Sequence, residues 1–542
     1  MRLLRSSAVV GLFTMASRIL GFARDILIAA VLGTGPVAEA FFVALRFPNL
    51  FRRLFAEGAF NAAFVPLYAR TLEGEGEDKA RQLLREILSV MVMALSGFVV
   101  IAIIVMPWLM YVIAPGFAVD DDGLRLNLAV TFTQITMPYI LLMSVTAMLG
   151  GVLNSHDRFI AAAAAPILLN IVLISILAYA MKDAGIGLAD VLKNEAVEVE
   201  NANRFGLLLC MGVTLSGLLQ AVFLFIGCRR IGVKLSIIRP RLTPGVKRLI
   251  VLGVPGAIAA GVTQINIIVS QQIASFQDGA VALLYYADRL YQLPLGVIGI
   301  AMGVALLPAL SKRLRANDTQ GAANAMNRAL EISMALTLPA AIAMLAMPNF
   351  LVSGLFQRGE FDAMDATGTA LAVQAFAIGL PAFVLIKVFA PGFFAREDTR
   401  TPMRFAAVSM LVNVLAGVAL FALIKLHFNL PDFGHVGLAA ATSLAGWINA
   451  LLLMFTLRRT GGLEADARLR SRLPRIVIAA IGMGLCVAMA EYWADEITAI
   501  FFGVRLLALI VTTLACAAIY GVMALVTGAL KPSEVLGSLK RS

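Results

Sequence analysis

The chain has 542 residues, of which 60% are hydrophobic and only 14% are charged, and its formal net charge is +11 at pH 7. Soluble domains average about 25% charged residues, so the composition excludes a soluble globular protein and indicates a polytopic membrane protein. Most of the excess positive charge lies in loops, as expected for basic loops that face the cytoplasm, and this argues against nucleic-acid binding.

The sequence carries no motif for nucleotide hydrolysis, metal binding or disulfide formation. It contains neither GxxxxGK(S/T) nor HExxH, its four cysteines form no CxxC pair, and its three histidines show no metal-ligand spacing. We therefore expect a protein that uses no metal ion or cofactor and does not hydrolyse ATP.

The first apolar segment carries charges in its middle. Its start, MRLLRSSAVVGLFTMASRIL, resembles a signal peptide, but it has no good small-residue cleavage site and Arg18 interrupts the apolar run. We expect it to be retained as the first spanning helix. Arg18 and Asp25 are seven residues apart and share a helical face, whereas Arg24 points about a third of a turn away.

The second apolar segment, residues 38–70, has the same anomaly. An arginine at the centre of a spanning helix costs about 2.5–3.5 kcal/mol on insertion scales. Several of them must therefore face water, one another or an anionic ligand. We expect the first two helices to line a hydrated cationic cavity. One helical stripe of this segment contains Arg46, Asn49, Arg53 and Glu57, with Arg52 beside it.

Two interpretations of these charges are open. Arg53 and Glu57 are four residues apart, so a mutual ion pair explains them as well as a functional role does. Arg24 and Arg52 have no acidic residue four positions away in either direction, which favours ligand binding. Asp25 and Glu57 can also pair with arginines of neighbouring helices.

Apolar runs of about 20 residues, the length of a spanning helix, predict an all-α membrane protein with fourteen transmembrane helices. Gly and Pro inside several of them favour close helix packing and also suit hinges. The predicted helices centre near residues 20, 50, 100, 139, 170, 216, 260, 295, 342, 380, 413, 447, 484 and 515.

Loop charge predicts the orientation. About 30 of the 44 Lys and Arg residues lie in the termini and in the loops that share the N-terminal side, whereas about 7 lie in the opposite loops. Since basic loops stay in the cytoplasm, both termini are expected to be cytoplasmic.

Four pairs of residues repeat at nearly one spacing along the chain. An offset of 241–243 residues predicts two six-helix lobes in parallel orientation, an architecture that places a transporter's substrate site between its halves. The expected divisions are an N-lobe at 1–230, a C-lobe at 231–460 and two appended helices at 461–542. The pairs are Pro66 and Pro308, Pro107 and Pro348, Pro138 and Pro381, and Asn170 and Asn413.

The second half contributes fewer intramembrane charges. Its eighth helix contains YYADRLYQLP, with Asp288 and Arg289, whereas Lys387 lies near a predicted cytoplasmic end, where its ammonium can reach the headgroups. Together with Arg24 and Arg52, Arg289 could complete a three-cornered anion clamp. Guanidinium groups suit phosphate because they donate paired, charge-assisted hydrogen bonds and keep their proton.

At these residues the chain resembles a known family. The segments SRILGFARD (17–25), FPNLFRRLFAEGAF (47–60), APGF (114–117), YYADRL (285–290) and APGFF…TRTP (390–402) closely resemble the MurJ (MviN) family of lipid II flippases. The resemblance runs over essentially the whole chain. It implies the multidrug/oligosaccharidyl-lipid/polysaccharide exporter fold, with two six-helix lobes arranged in a V shape and two further helices that form a groove for a lipid tail.

The resemblance also implies roles for individual residues. Sodium sites of some relatives use acidic and Asn residues, but helix seven here (247–275) has only Gln264, Asn266 and Gln271, so we expect no sodium site. Glu39 stands where relatives often have Asp. The expected substrate-binding residues are Arg24, Arg52, Arg53, Asn49 and Arg289, and the expected gating or ion-pair residues are Ser17, Arg18, Asp25, Glu39, Glu57 and Asp288.

The implied function is transport. A monomer in the bacterial inner membrane would flip lipid II, a lipid-linked peptidoglycan precursor, for cell-wall synthesis and cell shape, with membrane lipids and the cell-wall synthesis machinery as partners. An exporter of another polyprenyl-diphosphate glycan would suit the same cavity. An arginine-lined cavity repels cationic drugs, and an enzyme acting on a polyprenyl phosphate would have only Asp25 or Glu57 as its base. A scaffold without transport is disfavoured because the buried charges are costly.

Overall fold

The computed structural model describes residues 2–51, 59–119, 122–185, 187, 201–428 and 430–529. Within these ranges the secondary structure is helical, apart from one isolated bridge between Arg358 and Phe361. Arg52, Arg53 and Glu57 lie outside the described residues, so their predicted roles stay predictions.

The described residues form two compact units that meet in the chain at Ala282 and Leu283, within the first turn of one helix. The division into segments 1–230, 231–460 and 461–542 stays a prediction. The helices of the first unit are α1 (Arg2–Leu32), α2 (Pro36–Phe51), α3 (Ala59–Glu75), α4 (Glu77–Ile113), α5 (Leu124–Thr136), α6 (Tyr139–Ser155), α7 (Phe159–Asp183), α8 (Ala202–Arg230) and α9 (Pro244–Ala274).

The second unit begins in the helix that crosses this boundary and continues to the end of the described chain. Its helices are α10 (Ala280–Arg315), α11 (Thr319–Ala346), α12 (Pro348–Phe356), α13 (Ala363–Phe394), α14 (Arg400–Ala422), α15 (Gly434–Arg459), α16 (Ala467–Tyr492), α17 (Ala494–Ile500) and α18 (Arg505–Val526).

Several long helices begin at polar caps supplied by the loops. Thr243, Asp318, Asp362 and Asp466 each accept a hydrogen bond from a backbone N–H in the first turn of the following helix. Such caps satisfy donors that have no partner inside the helix. Local sequence therefore determines where α9, α11, α13 and α16 start.

Ten helical segments among the described residues are long and apolar enough to cross a membrane. They match ten of the fourteen predicted spans, and one of them, Leu124–Ser155, joins α5 and α6 across Pro138. Three of the other predicted spans fall in α1, α9 and α10, and the fourth, within residues 38–70, covers parts of α2 and α3, so the count of fourteen stays a prediction. The chain is a multi-pass, all-helical membrane protein.

Large apolar side chains cover the outer face of individual helices. On α4, Ile101 and Ile104 are each 62% exposed and Trp108 is 66% exposed, whereas Met106 and Met110 on the same helix are fully buried. Leaving such surface in water costs about 25 cal/mol per Å². Hydrocarbon around the helix removes that cost, which explains why this face has no polar residues to shield it.

The two units use the same helix pairings. In the first unit α6 and α7 both pack on α8, and in the second unit α13 and α14 both pack on α15. Asn170 on α7 and Asn413 on α14 are both buried, at corresponding points of the repeat. The proline markers differ locally, because Pro138 separates two helices whereas Pro381 lies within α13.

Candidate functional site

The centre of the site is a buried guanidinium on α1. Arg24 is only 7% exposed, and its Nη2 and Nε donate to Oδ1 of Asp25 at 2.7 and 3.0 Å. Adjacent residues on a helix point about 100° apart, so the long arginine side chain must fold back over the next residue to reach this carboxylate. Arg24 has no acidic residue four positions away, as the sequence shows, but the structure pairs it with the adjacent residue of its own helix.

A residue from another helix completes this group. Asn170 on α7 accepts a hydrogen bond from Arg24 Nη1 at 3.0 Å, and its Nδ2 donates to the backbone carbonyl of Ser17 at 2.9 Å. The side chain thus links two points of α1 that are seven residues apart, and it fixes the plane of the guanidinium. In the sequence alone, Asn170 stands out only as a marker of the repeat.

In this buried ion pair, the positive charge of Arg24 is neutralised by the Asp25 carboxylate. The side chains of Arg24 and Asp25 are 8% and 3% exposed, so water screens their attraction little. An incoming anion would compete with Asp25 for the same donors. The arrangement can therefore exchange an internal carboxylate for an external anion without leaving the arginine unpaired.

Two further residues predicted from the sequence, Arg46 and Asn49, lie on α2. Arg46 is half-buried and its Nη1 lies 3.5 Å from Oε1 of Gln271 on α9, at the limit of a hydrogen bond. Asn49 is also half-buried on α2. Arg18 is exposed on α1, and Ser17 is half-buried beside Asn170.

A second charged cluster surrounds Glu39 at the start of α2. The Glu39 carboxylate is 1% exposed, and it accepts a hydrogen bond from Arg125 Nη1 at 3.1 Å and one from the backbone N–H of Val281 at 3.0 Å. Nη2 of Arg125 also pairs with Asp278 at 2.9 Å. Glu39 therefore ties α2 to α5 and to the first turn of α10, where a carboxylate meets the positive end of the helix.

The APGF motif contributes a wall to this second cluster. The backbone N–H of Gly116 donates to Ser275 Oγ at 2.9 Å, and a Cβ at this glycine would lie 2.2 Å from the Ser275 carbonyl carbon. The next residue, Phe117, lies under the guanidinium of Arg125, whose Cζ is 4.9 Å from the ring centroid. The motif thus lets two chain segments approach closely and adds a cation–π contact.

The predicted site residues of the second unit, Asp288 and Arg289, lie on α10. Arg289 on α10 donates to the hydroxyl of Tyr285 at 2.6 Å, and its Cζ lies 4.6 Å from the centroid of that ring. Asp288 accepts a hydrogen bond from Gln292. Both contacts lie within one turn of α10, so local sequence positions these two side chains.

The structure adds residues that sequence analysis did not propose. Arg125, Asp278 and Gln271 enter the site through contacts that span 86 to 225 residues of chain, too far apart for any local pattern to reveal. Asn170 is only weakly indicated as a site residue by the sequence, because it is a polar residue inside the apolar run LLNIVLI and recurs at the repeat spacing.

Comparison with solved structures identifies the fold. A structure described as "Lipid II flippase MurJ, inward closed conformation" matches with a TM-score of 0.69 and 21% identity, covering 95% of this chain and 99% of that one. An inward-facing multidrug resistance MATE family transporter of the MOP superfamily matches with a TM-score of 0.63 and 14% identity, over 84% and 98% of the two chains. The fold is that of a multi-pass membrane transporter.

Sequence comparison then identifies the family. The family model for the lipid II flippase MurJ matches residues 28–532. A relative from Rhizobium meliloti, "Probable lipid II flippase MurJ", is 44% identical over 100% of this chain and 97% of its own. The "Lipid II flippase MurJ" of Burkholderia cenocepacia is 33% identical over 91% and 90% of the two chains. The chain belongs to the MurJ family of lipid II flippases, which are transporters and not enzymes, and the predicted resemblance is confirmed.

Proposed function

We propose that this protein flips lipid II from the cytoplasmic to the periplasmic leaflet of a bacterial inner membrane by alternating access, with both termini in the cytoplasm. The observation that carries the proposal is the buried Arg24 group on α1, a helix that the sequence predicts to span the membrane. Family membership supplies the substrate, and the chemistry of a guanidinium suits its diphosphate.

The diphosphate is held by arginines, and the rest of the substrate is accommodated around it. Arg24, Arg52 and Arg289 bind the phosphate oxygens, with Arg53 and Asn49 beside them. The polyprenyl tail stays in lipid or along the two C-terminal helices. The hydrogen bonds of Arg24 to Asp25 and Asn170 support this assignment, because they orient the guanidinium before the ligand arrives.

Charge contacts act as the gates. Ser17, Arg18, Asp25, Glu57 and Asp288 contribute to closing contacts. Glu39 holds the start of α10 through the N–H of Val281, and Arg125 neutralises its carboxylate. A buried ion pair that ties three chain segments is suited to one discrete closed arrangement, because separating its charges in a low dielectric is costly.

The membrane potential is the proposed driving force. A charge crossing the membrane gains about 2.3 kcal/mol per 100 mV. A diphosphate with roughly two negative charges that leaves a negative interior therefore gains on the order of 4–5 kcal/mol per 100 mV. No nucleotide-binding loop is present in the sequence to supply energy from ATP.

The test is translocation by the purified chain in vesicles that carry lipid II. We expect Arg24→Ala to abolish flipping and Arg24→Lys to retain part of it, since Lys keeps the charge but loses the paired hydrogen bonds. The matched control is Arg404→Ala, which removes an exposed arginine on α14.

An imposed potential, negative on the side that holds the substrate, should accelerate flipping. Normal flipping by Arg24→Ala, in vesicles and in cells whose growth depends on this protein, would refute the assignment of the diphosphate site. Equal rates at zero and 100 mV would refute the driving force alone. Competition by polyprenyl diphosphates with other glycans measures whether the cavity selects lipid II.

A further inference from the structure

A pocket of about 430 Å³ lies between α1, the C-terminal end of α6 and the first turns of α7. This volume falls within the range of about 300–1,000 Å³ that is typical of small-molecule sites. Its lining includes Thr14, Ser17 and Arg18 from α1, Asn154 from α6, and Phe159 and Ala162 from α7.

The lining is mostly apolar, from Val10, Phe159, Ala162, Ala163 and Pro166, and it carries four hydrogen-bonding side chains. The Thr14 hydroxyl already donates to the Val10 carbonyl at 2.9 Å, so it offers an acceptor, whereas Arg18 and Asn154 offer donors. Arg18 and Asn154 are exposed, so their polar ends can reach a ligand. The half-buried ring of Phe159 provides an apolar surface beside them. Convergent polar groups next to an aromatic face suit a sugar ring, which presents hydroxyl and amide groups at its edge and C–H bonds on its faces.

Ser17, which lines the pocket, and Arg24 lie on the same face of α1. Ser17 and Arg24 are seven residues apart, which corresponds to about 10.5 Å along the helix and nearly the same direction around it. Gly21 lies between them without a side chain, and a Cβ there would first meet Asn170 at 3.6 Å. Asn170 itself bonds Ser17 at one end and Arg24 at the other.

We propose that this pocket is a subsite for the substituted amino sugar that is bonded directly to the diphosphate of the substrate. The proposal rests on the proposed function, in which Arg24 holds that diphosphate. Arg18 and Asn154 donate to amide and hydroxyl oxygens of the sugar, Ser17 and Thr14 contact its hydroxyls, and Phe159 packs on the ring. Arg18 thereby contacts the substrate while the pocket is open, in addition to its proposed part in the closing contacts.

The consequence is selectivity for the head group. A polyprenyl diphosphate without a glycan would bind the arginines, and the pocket would then contain only water. The same lipid with its disaccharide would fill both. Loss of the pocket should therefore weaken only the ligand that carries sugar, whereas loss of Arg24 should weaken both.

The experiment measures dissociation constants of the full-length protein in nanodiscs for polyprenyl diphosphate and for the same lipid carrying the disaccharide. Ala162→Leu places a larger side chain in the pocket. We expect it to weaken binding of the glycan-bearing lipid about tenfold and to change binding of the bare diphosphate less than twofold. Asn154→Ala, which leaves the packing of the helices intact, should weaken the glycan-bearing lipid about threefold.

The matched control is Ala178→Leu, which adds the same side chain at an exposed position of α7. It should change neither constant. Equal weakening of both lipids by Ala162→Leu, or no change by either pocket variant, would overturn the sugar subsite. Failure of Arg24→Ala to weaken the bare diphosphate would instead refute the proposed function, so the two failures are distinguishable.

Discussion

The cluster around Glu39 makes a quantitative prediction about stability. Arg125→Met removes the guanidinium and leaves the Glu39 carboxylate, whose side chain is 1% exposed, without its buried counter-charge. Breaking a buried ion pair by removing one partner typically costs about 3–5 kcal/mol. The hydrogen bond from Val281 remains but does not neutralise the charge. We therefore expect Arg125→Met to lower the free energy of unfolding by about that amount.

Two companion variants separate charge from packing. Asp278→Ala removes a partner of Arg125 that is 93% exposed, so it should cost less than about 1 kcal/mol. Glu39→Gln keeps an acceptor for the Val281 N–H while removing the charge. The double variant Glu39→Gln with Arg125→Met should therefore be more stable than Arg125→Met alone.

The measurement is reversible denaturation of the purified chain in mixed micelles, analysed as a double-mutant cycle. We expect a coupling energy between Glu39 and Arg125 of at least about 2 kcal/mol, since contacting residues in one network couple by 0.5–3 kcal/mol. If the two single effects add to within about 0.5 kcal/mol, or if Asp278→Ala costs as much as Arg125→Met, the reasoning from burial is wrong.

Three further predictions concern other parts of the chain. Asn170→Ala removes the acceptor of Arg24 Nη1, and it should weaken binding of polyprenyl diphosphate at least about tenfold, since a hydrogen bond to a charged group contributes about 1.5 kcal/mol or more. Gly116→Ala forces a methyl group into backbone and should destabilise the protein by about 1–3 kcal/mol in thermal unfolding. Glu331→Gln should cost about 3–5 kcal/mol in mixed-micelle denaturation, because it leaves buried Arg472 without its carboxylate.

Each of these has a matched control. Asn413→Ala changes the corresponding asparagine of the repeat, whose side chain accepts from Thr442 at 3.3 Å, and should not alter diphosphate binding. Gly97→Ala adds a methyl group where no atom lies within 4 Å, so it should be neutral or stabilising. Asp495→Asn breaks a pair whose carboxylate is 86% exposed and should cost under about 1 kcal/mol. If a control variant changes stability or binding as much as its test variant does, the corresponding prediction is wrong.

The sequence by itself determined the class of protein and most of its elements. Apolar runs, loop charge and helix caps act over one helix length or less, so they are visible without a structure. The unusual position of Arg24 is also visible in the sequence, because the cost of a charge in a spanning helix depends on its immediate neighbours in the chain. The family motifs also lie in short segments, and the family they indicated is confirmed.

Only the tertiary structure decided which groups meet. Asn170 contacts Arg24 across 146 residues of chain, and Val281 donates to Glu39 across 242. Even the pairing of Arg24 with Asp25 was not foreseen, because helical spacing fixes where a Cβ points but not where a flexible arginine ends. Such contacts depend on how helices pack and on which rotamer that packing allows, and neither quantity is encoded in a local pattern.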